Sequence, residues 1–348
     1  ANGEAGWEAA GGGGASDING LSDALTHSSG DTIGLGTGAL ASDDGSSTNN
    51  NTAVGKYSLN ATTSGENNTA IGFSSGLSNT TGSNNTFLGA KSGQIGTLTG
   101  SGNTAIGSTS LRQIQGAASD NIGCGFWSGY SLTTGSNNIV FGREAMYTAT
   151  TAATNVAIGY QAGNNLTTAT SNVILGPYAG SNATVEEASV FIGQNAGKGS
   201  SGSASYGYNV AIGRQSLYSH NGVYGNVAIG VDAGKLITTG NSNTAIGYLA
   251  GSVVTTGANN TFLGLQAGDL LTTGSRNTIL GYGADASSAT VSDEITLGNS
   301  SISSLRCQVQ TISALSDRRD KKDIEELPIG IDFINALKPV KFTWNMRD

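Results

Sequence analysis

Few side chains in this sequence are of a type that does chemistry, and their spacing limits what each could do. Carboxylates stand side by side at Asp43-Asp44 and Glu186-Glu187. Cleaving a glycosidic bond takes two carboxyl groups that face one another roughly 5–9 Å apart, whereas sequence neighbours usually point apart. His27 and His220 are isolated and read as surface residues rather than catalysts. The only two cysteines, Cys124 and Cys307, lie far apart, so neither a disulfide framework nor a metal site is indicated. Cys124 takes a place that equivalent segments give to Ile or Leu, which predicts a buried thiol serving as a small hydrophobe. Nothing in this inventory calls for a cofactor, and a polysaccharide-cleaving enzyme is the weakest functional reading.

The elements that would position these groups come from a repeat. Asn243-Thr244-Ala245-Ile246-Gly247 returns as Asn68-Thr69-Ala70-Ile71-Gly72, as Asn155-Val156-Ala157-Ile158-Gly159 and as Asn226-Val227-Ala228-Ile229-Gly230. Its closing glycine stands at 36, 55, 72, 89, 107, 125, 142, 159, 176, 193, 213, 230, 247, 264, 281 and 298. Eleven of the fifteen intervals are 17 residues; the others are 18, 18, 19 and 20. A period this strict is the mark of a repeat architecture. Each unit opens with a short strand of alternating faces: Thr or Val with Ile or Leu on one, Ala with the glycine on the other. Neither face carries charge, which predicts burial of both. Seventeen residues are too few for a strand–helix crossover, which needs about 30, but enough for one turn of a β-solenoid. At about 4.8 Å per rung, sixteen rungs would stack to roughly 75 Å. The asparagine opening each unit recurs at 51, 68, 85, 103, 121, 138, 155, 172, 209, 226, 243, 260 and 277, with Ser189 substituting once. Identical amides in every rung suit a structural ladder better than a ligand site.

Composition narrows the partners. The chain of 348 residues holds 54 glycines, only 11% charged residues and a formal charge of −8. An acidic chain argues against nucleic acid or an anionic membrane as partner. No run of 18 apolar residues exists, so no membrane span is expected. No signal-peptide pattern opens the chain, which leaves export open.

Four stretches follow in order. Residues 1–30 form a Gly-rich connector in which Ile18, Leu21 and Leu25 could also cap the first rung. Residues 31–300 are the solenoid, a parallel β-roll of about sixteen coils, with an enlarged loop at Lys198-Gly199-Ser200-Ser201-Gly202-Ser203 and an irregular unit at Leu111-Arg112-Gln113-Ile114-Gln115. Aromatic residues collect just after the glycine, at Tyr57, Phe73, Phe126, Trp127, Tyr160, Tyr178, Tyr248 and Tyr282. They could form a surface stripe that stacks on sugars, or pack between rungs or chains. Residues 301–315 read as an extended stem. From residue 316 the sequence turns charged, with seven Lys or Arg and seven Asp or Glu up to residue 348. A helical pattern (Ile331, Ile334, Leu337) and an alternating strand (Val340, Phe342, Trp344) predict a small α+β piece there.

Ser316-Asp317-Arg318-Arg319-Asp320-Lys321-Lys322-Asp323-Ile324, with the segment from Gly330 to Trp344, resembles the start of the intramolecular chaperone domain of the endosialidase tail-spike family. Such domains follow trimeric fibres, assist trimerisation and then cut themselves off. The resemblance implies a cut at Leu315–Ser316, with Ser316 as nucleophile and Lys321 as its base; a desolvated lysine can take a hydroxyl proton. The family continues beyond the point where this sequence stops at Asp348. The repeats are similar to the Asn-x-Ala-Ile-Gly coils in heads of trimeric autotransporter adhesins, which implies a left-handed β-roll with three chains side by side.

Together these point to a homotrimeric extracellular fibre, on a cell or as a virion tail fibre, that recognises a surface such as a glycan. An ice- or mineral-binding solenoid is the alternative. It would need a flat Thr-x-Thr column exposed in every coil, whereas Thr in the strands swaps freely with Val.

Overall fold

The computed structural model describes residues 24–26, 32–44, 49–200, 203–204, 207–306 and 308. Two compact units, Ala1–Ser301 and Ile302–Asp348, divide the chain. Ser316, Lys321 and the expected α+β piece lie outside the described residues, as do His27 and Cys307.

Each glycine mark closes a three-residue strand, from Ile33–Leu35 and Thr52–Val54 through to Thr278–Leu280 and Ile295–Leu297. Every strand pairs in parallel, without slippage, with its equivalent in the next unit: Val227, Ala228 and Ile229 lie beside Thr244, Ala245 and Ile246. The sheet has 17 strands, of which Ala24–Thr26 alone is antiparallel, so 17 − 1 leaves sixteen parallel rungs joined by fifteen turns. The chain is an all-β parallel β-solenoid, and no helix occurs among the described residues. Ala24–Thr26 sets Leu25 opposite Gly34 and covers the hydrogen-bonding edge of the first rung, which would otherwise be an open strand edge.

The two strand faces have different fates. The middle residue points into the coil and is buried, as at Ala70, Phe87, Ala157 and Phe262. The flanking Thr or Val and Ile or Leu point outward, with Ile71, Leu88 and Ile158 about 41–43% exposed. Burial of both faces is therefore not seen within one chain. A coil of this length has a single interior, and alternation sends every second side chain out of it. Cys124 stands in that outward Ile/Leu column, so its thiol is half-buried and free rather than a core residue.

Interior volume is balanced between rungs. Where the strand carries Phe, the turn residues facing it are glycine: a Cβ on Gly251 would lie 2.7 Å from the Phe262 ring, and one on Gly268 closer still. Gly76 and Gly93 flank Phe87 in the same way. Where two successive strands carry Ala or Gly, the turn position between them can hold a large residue, as with Leu40, Leu59, Leu111 and Leu217, all buried. Large against small keeps the packing dense without strain.

The asparagine column is a buried, fully used ladder. Asn155 Oδ1 accepts from the backbone N–H (3.0 Å) and the Nδ2 (2.9 Å) of Asn172, while Asn155 Nδ2 donates to the Ala169 carbonyl (2.8 Å). The residue before each ladder asparagine has a left-handed backbone, as at Asn67 (φ 56°), Asn137 (φ 61°) and Asn259 (φ 59°). Asparagine adopts that conformation more readily than most residues, which accounts for the recurring Asn-Asn pairs. At Ser189 the side chain is too short to continue the ladder, and the Glu186 carboxyl fills the gap. Its Oε1 accepts from Ser189 Oγ and from Asn209 Nδ2 (3.3 Å). The column terminates at Glu294, whose N–H donates to Asn277 Oδ1 (3.0 Å).

The longest interval is more than an enlarged loop. Its Ser203–Ala204 pairs in parallel with Ala183–Val185 as a separate two-stranded sheet. The irregular unit after Gly107 places Leu111 and Ile114 in the core.

Candidate functional site

The acidic pairs behave differently from one another. Glu186 is buried in the ladder and Glu187 is exposed, so this pair points apart as expected. Asp43 and Asp44 instead both accept from Asn49 Nδ2, at 2.7 and 3.1 Å. They sit in a turn, where strand alternation does not apply. His220 is not a surface residue: it is buried, with Nε2 3.0 Å from the Gly197 carbonyl and its ring 5.8 Å from that of Phe191. It fills the interior position that Leu132, Leu166 and Ile237 fill in other rungs.

Threonine hydroxyls on one outer edge run up the solenoid, but each donates to the carbonyl of the next rung. Thr133 reaches Thr150 (2.9 Å), and Thr167 reaches Thr184 (3.0 Å). Those hydroxyls are engaged within the chain, which weakens the ice- or mineral-binding alternative.

The aromatic residues after the glycines lie along one wall. Most are singly spaced and partly exposed, but two successive rungs gather them into a cluster. Phe126 stacks on Trp127 with ring centroids 4.4 Å apart, Trp127 packs against Tyr147 at 5.7 Å, and Tyr147 stacks on Tyr130 at 5.0 Å. Tyr130 and Tyr147 do not stand one or two residues after a closing glycine, so the sequence stripe omits them. Their common offset, five residues after Gly125 and Gly142, is the signal that finds them.

Beside the rings sits a cleft of about 250 Å³ lined by Trp127, Glu144, Tyr147, Gln161 and Asn164. Glu144 is held from several sides. Gln161 Nε2 donates to its Oε2 (2.6 Å), Arg143 Nε to its Oε1 (2.9 Å), and Asn164 Nδ2 to its main-chain carbonyl (2.9 Å). The Gln161 hydrogen bond first, then Arg143, holds the carboxyl below the ordinary glutamate range, against an opposing contribution from burial. Arg112 Nη1 donates to the Tyr130 hydroxyl (2.7 Å) and fixes that ring from the rung before. The arrangement offers flat apolar faces next to rigid, planar hydrogen-bonding groups. It contains one carboxylate and no second facing it among the lining residues, so this lining does not hold the carboxyl pair that glycoside hydrolysis uses.

Comparison with known families bears on the other end of the chain. Residues 316–348 match the peptidase family described as chaperone of endosialidase. Among curated proteins no match is found. The match spans the charged C-terminal segment only and contains both Ser316 and Lys321. A chaperone-of-endosialidase segment behind a β-solenoid fits a protein of the tail-fibre type, with autoproteolysis as the family's own chemistry.

Proposed function

We propose that the chain is a segment of a homotrimeric extracellular fibre, adhesin or virion tail fibre, that recognises a cell or host surface. Residues 31–300 form the permanent β-roll, 1–30 its connector and cap, and 301–315 a stem. Residues 316–348 begin a folding aid that releases itself at Leu315–Ser316, with Ser316 as nucleophile and Lys321 as base.

The observation that carries this reading is the outward apolar column. Ile71, Leu88, Ile106, Phe141, Ile158 and Leu263 stand on the same strand position, each 38–49% exposed. The column continues on every rung, over a length of roughly 75 Å. Contiguous apolar surface of that extent marks an interaction face, and three parallel chains would cover it on one another. The match to a chaperone of trimeric fibres supports the same assembly.

Light scattering tests the assembly: the expected mass is three times the 34.8 kDa of the chain, and a single-chain mass refutes it. Mass spectrometry tests the junction in a protein extended through the whole chaperone domain. A product ending at Leu315, lost in Ser316→Ala with assembly retained, is expected. Cutting that persists in Ser316→Ala refutes the assigned nucleophile.

A further inference from the structure

Along a repeat, the positions that never vary are those the scaffold needs, and the positions that vary from rung to rung are free to do something else. Here the ladder asparagine and the closing glycine are nearly monotonous. The second and fifth residues after each closing glycine are not. They lie on one outer wall, and over three successive rungs they are Trp127 and Tyr130, Glu144 and Tyr147, Gln161 and Asn164. Trp127, Glu144 and Gln161 all have left-handed backbones, at φ 61°, 59° and 54°, imposed by the corner that recurs at this place in other rungs. Their side chains are therefore presented by the stacked scaffold rather than by a loop, which is how a site is kept rigid.

We propose that this cleft binds a neutral pyranose unit of a surface glycan. The proposal rests on the reading of the fibre as a surface-recognising one and names the ligand class. A pyranose has an apolar face of C–H groups and a rim of hydroxyls, and the cleft supplies a partner for each. Trp127 and Tyr147 give half-buried aromatic faces set at an angle, with centroids 5.7 Å apart. Glu144 is fixed by Arg143 and Gln161 through one bond to each carboxylate oxygen. Each oxygen retains acceptor capacity, so an adjacent hydroxyl pair can donate to both. The amide groups of Gln161 and Asn164 add further polar partners on the same lining. A volume of about 250 Å³ accommodates one ring and lies just below the range of clefts that hold larger small molecules, roughly 300–1,000 Å³.

Charge selects the neutral class. The cleft holds a carboxylate, and the nearby cations are engaged. Arg143 is bound to Glu144 and lies over the Phe126 ring, while Arg112 is bound to Tyr130 and Gln94. An acidic sugar would bring its own carboxylate against Glu144, and the cation beside it, Arg143, is already paired with that carboxylate. Neighbouring rungs are about 4.8 Å apart, close to the length of one sugar unit. Tyr160 and Tyr178, edge to face at 5.1 Å, continue the aromatic wall onto the following rungs. A linear glycan laid along the axis would meet one rung per residue.

Saturation-transfer NMR on the intact chain tests this. The probes are the methyl glycosides of glucose, galactose and mannose, the disaccharides cellobiose and lactose, and N-acetylneuraminic acid as the acidic arm. At least one neutral probe is expected to show saturable transfer to its ring C–H protons. Trp127→Ala and Glu144→Gln should each weaken it by about tenfold or more, with far-ultraviolet circular dichroism and melting unchanged. No transfer to any neutral probe overturns the proposal. So does stronger binding of N-acetylneuraminic acid than of every neutral sugar, or transfer that neither substitution reduces. A chain with the three-chain mass that fails these titrations loses the sugar site and keeps the fibre assembly, so the two readings fail separately.

Discussion

Gly247→Ala probes the stacking of one closing glycine on the next. Gly247 has φ 139°, a region that L-residues rarely adopt, and a Cβ built on it would lie 2.6 Å from the Gly264 carbonyl carbon in the next rung. The obstacle is backbone, so no side-chain rotation relieves it. Strain at such a φ costs about 1–3 kcal/mol, and overpacking a further 1–3 kcal/mol or so. The sum, roughly 2–6 kcal/mol, converts to a melting temperature lower by roughly 3–8 °C for a chain of this size. Gly225→Asn is the control. Its φ is 68°, the nearest atom to an added Cβ is Ser242 Oγ at 3.5 Å, and Asn67, Asn137 and Asn259 hold the same place in other rungs. That change should stay within about 0.5 kcal/mol. Thermal melting read by circular dichroism compares the two. Hydrogen exchange should place the weakening of Gly247→Ala in the rungs around it, because repeat arrays fail locally. Equal melting of Gly247→Ala and the parent chain would refute the stacking of closing glycines on one another.

Three further substitutions test the interior and the cleft. Asn155→Leu strands the Asn172 N–H, buried in the ladder, while the Ala169 carbonyl keeps the Ala153 N–H, and it should cost about 1–3 kcal/mol by denaturant unfolding. Phe262→Ala should cost about 3–5 kcal/mol. Adding Gly251→Leu should recover part of that, since it recreates the Ala-with-Leu packing of Ala53 and Leu59, where Leu59 has a comparable φ of 47°; no recovery would mean the two volumes are not coupled. Glu144 is held below the usual glutamate range, so its charge is present above that range and lost as pH falls through the lowered value. Glycoside binding should therefore be flat from about pH 8 to 5 and drop below about pH 4; a midpoint near neutrality would exclude Glu144 as the group responsible.

Much of the fold is written in the period. The glycine marks give each rung and its register because one closing glycine must stack on the next, and the asparagines give the ladder because every corner repeats. The sequence is less informative wherever a residue's direction depends on closing the coil. Alternation shows that Ile and Ala face opposite ways, but only the closed coil shows that the Ile face looks outward. Cys124 follows that face, contrary to the hydrophobic-position argument. His220 looks isolated in sequence because its neighbours, Phe191 and Gly197, come from the preceding rung. Glu186 looks like half of an acidic pair, yet its place is set by the missing amide of Ser189. The cleft is half legible: the aromatic stripe includes Trp127, but Tyr147, Gln161 and Asn164 join it only through the seventeen-residue stacking of rungs.

Cys124 offers the most direct test that the outward column is where three chains meet. It lies on that column, in register between Ile106 and Phe141, and its thiol is half-exposed in a single chain. Maleimide labelling of the native protein, read by mass spectrometry of the Cys124 peptide, compares the assembled state with a denatured one. The trimeric account predicts that Cys124 is protected in the native assembly and labelled only after dissociation. Rapid labelling of Cys124 in the native protein would contradict it.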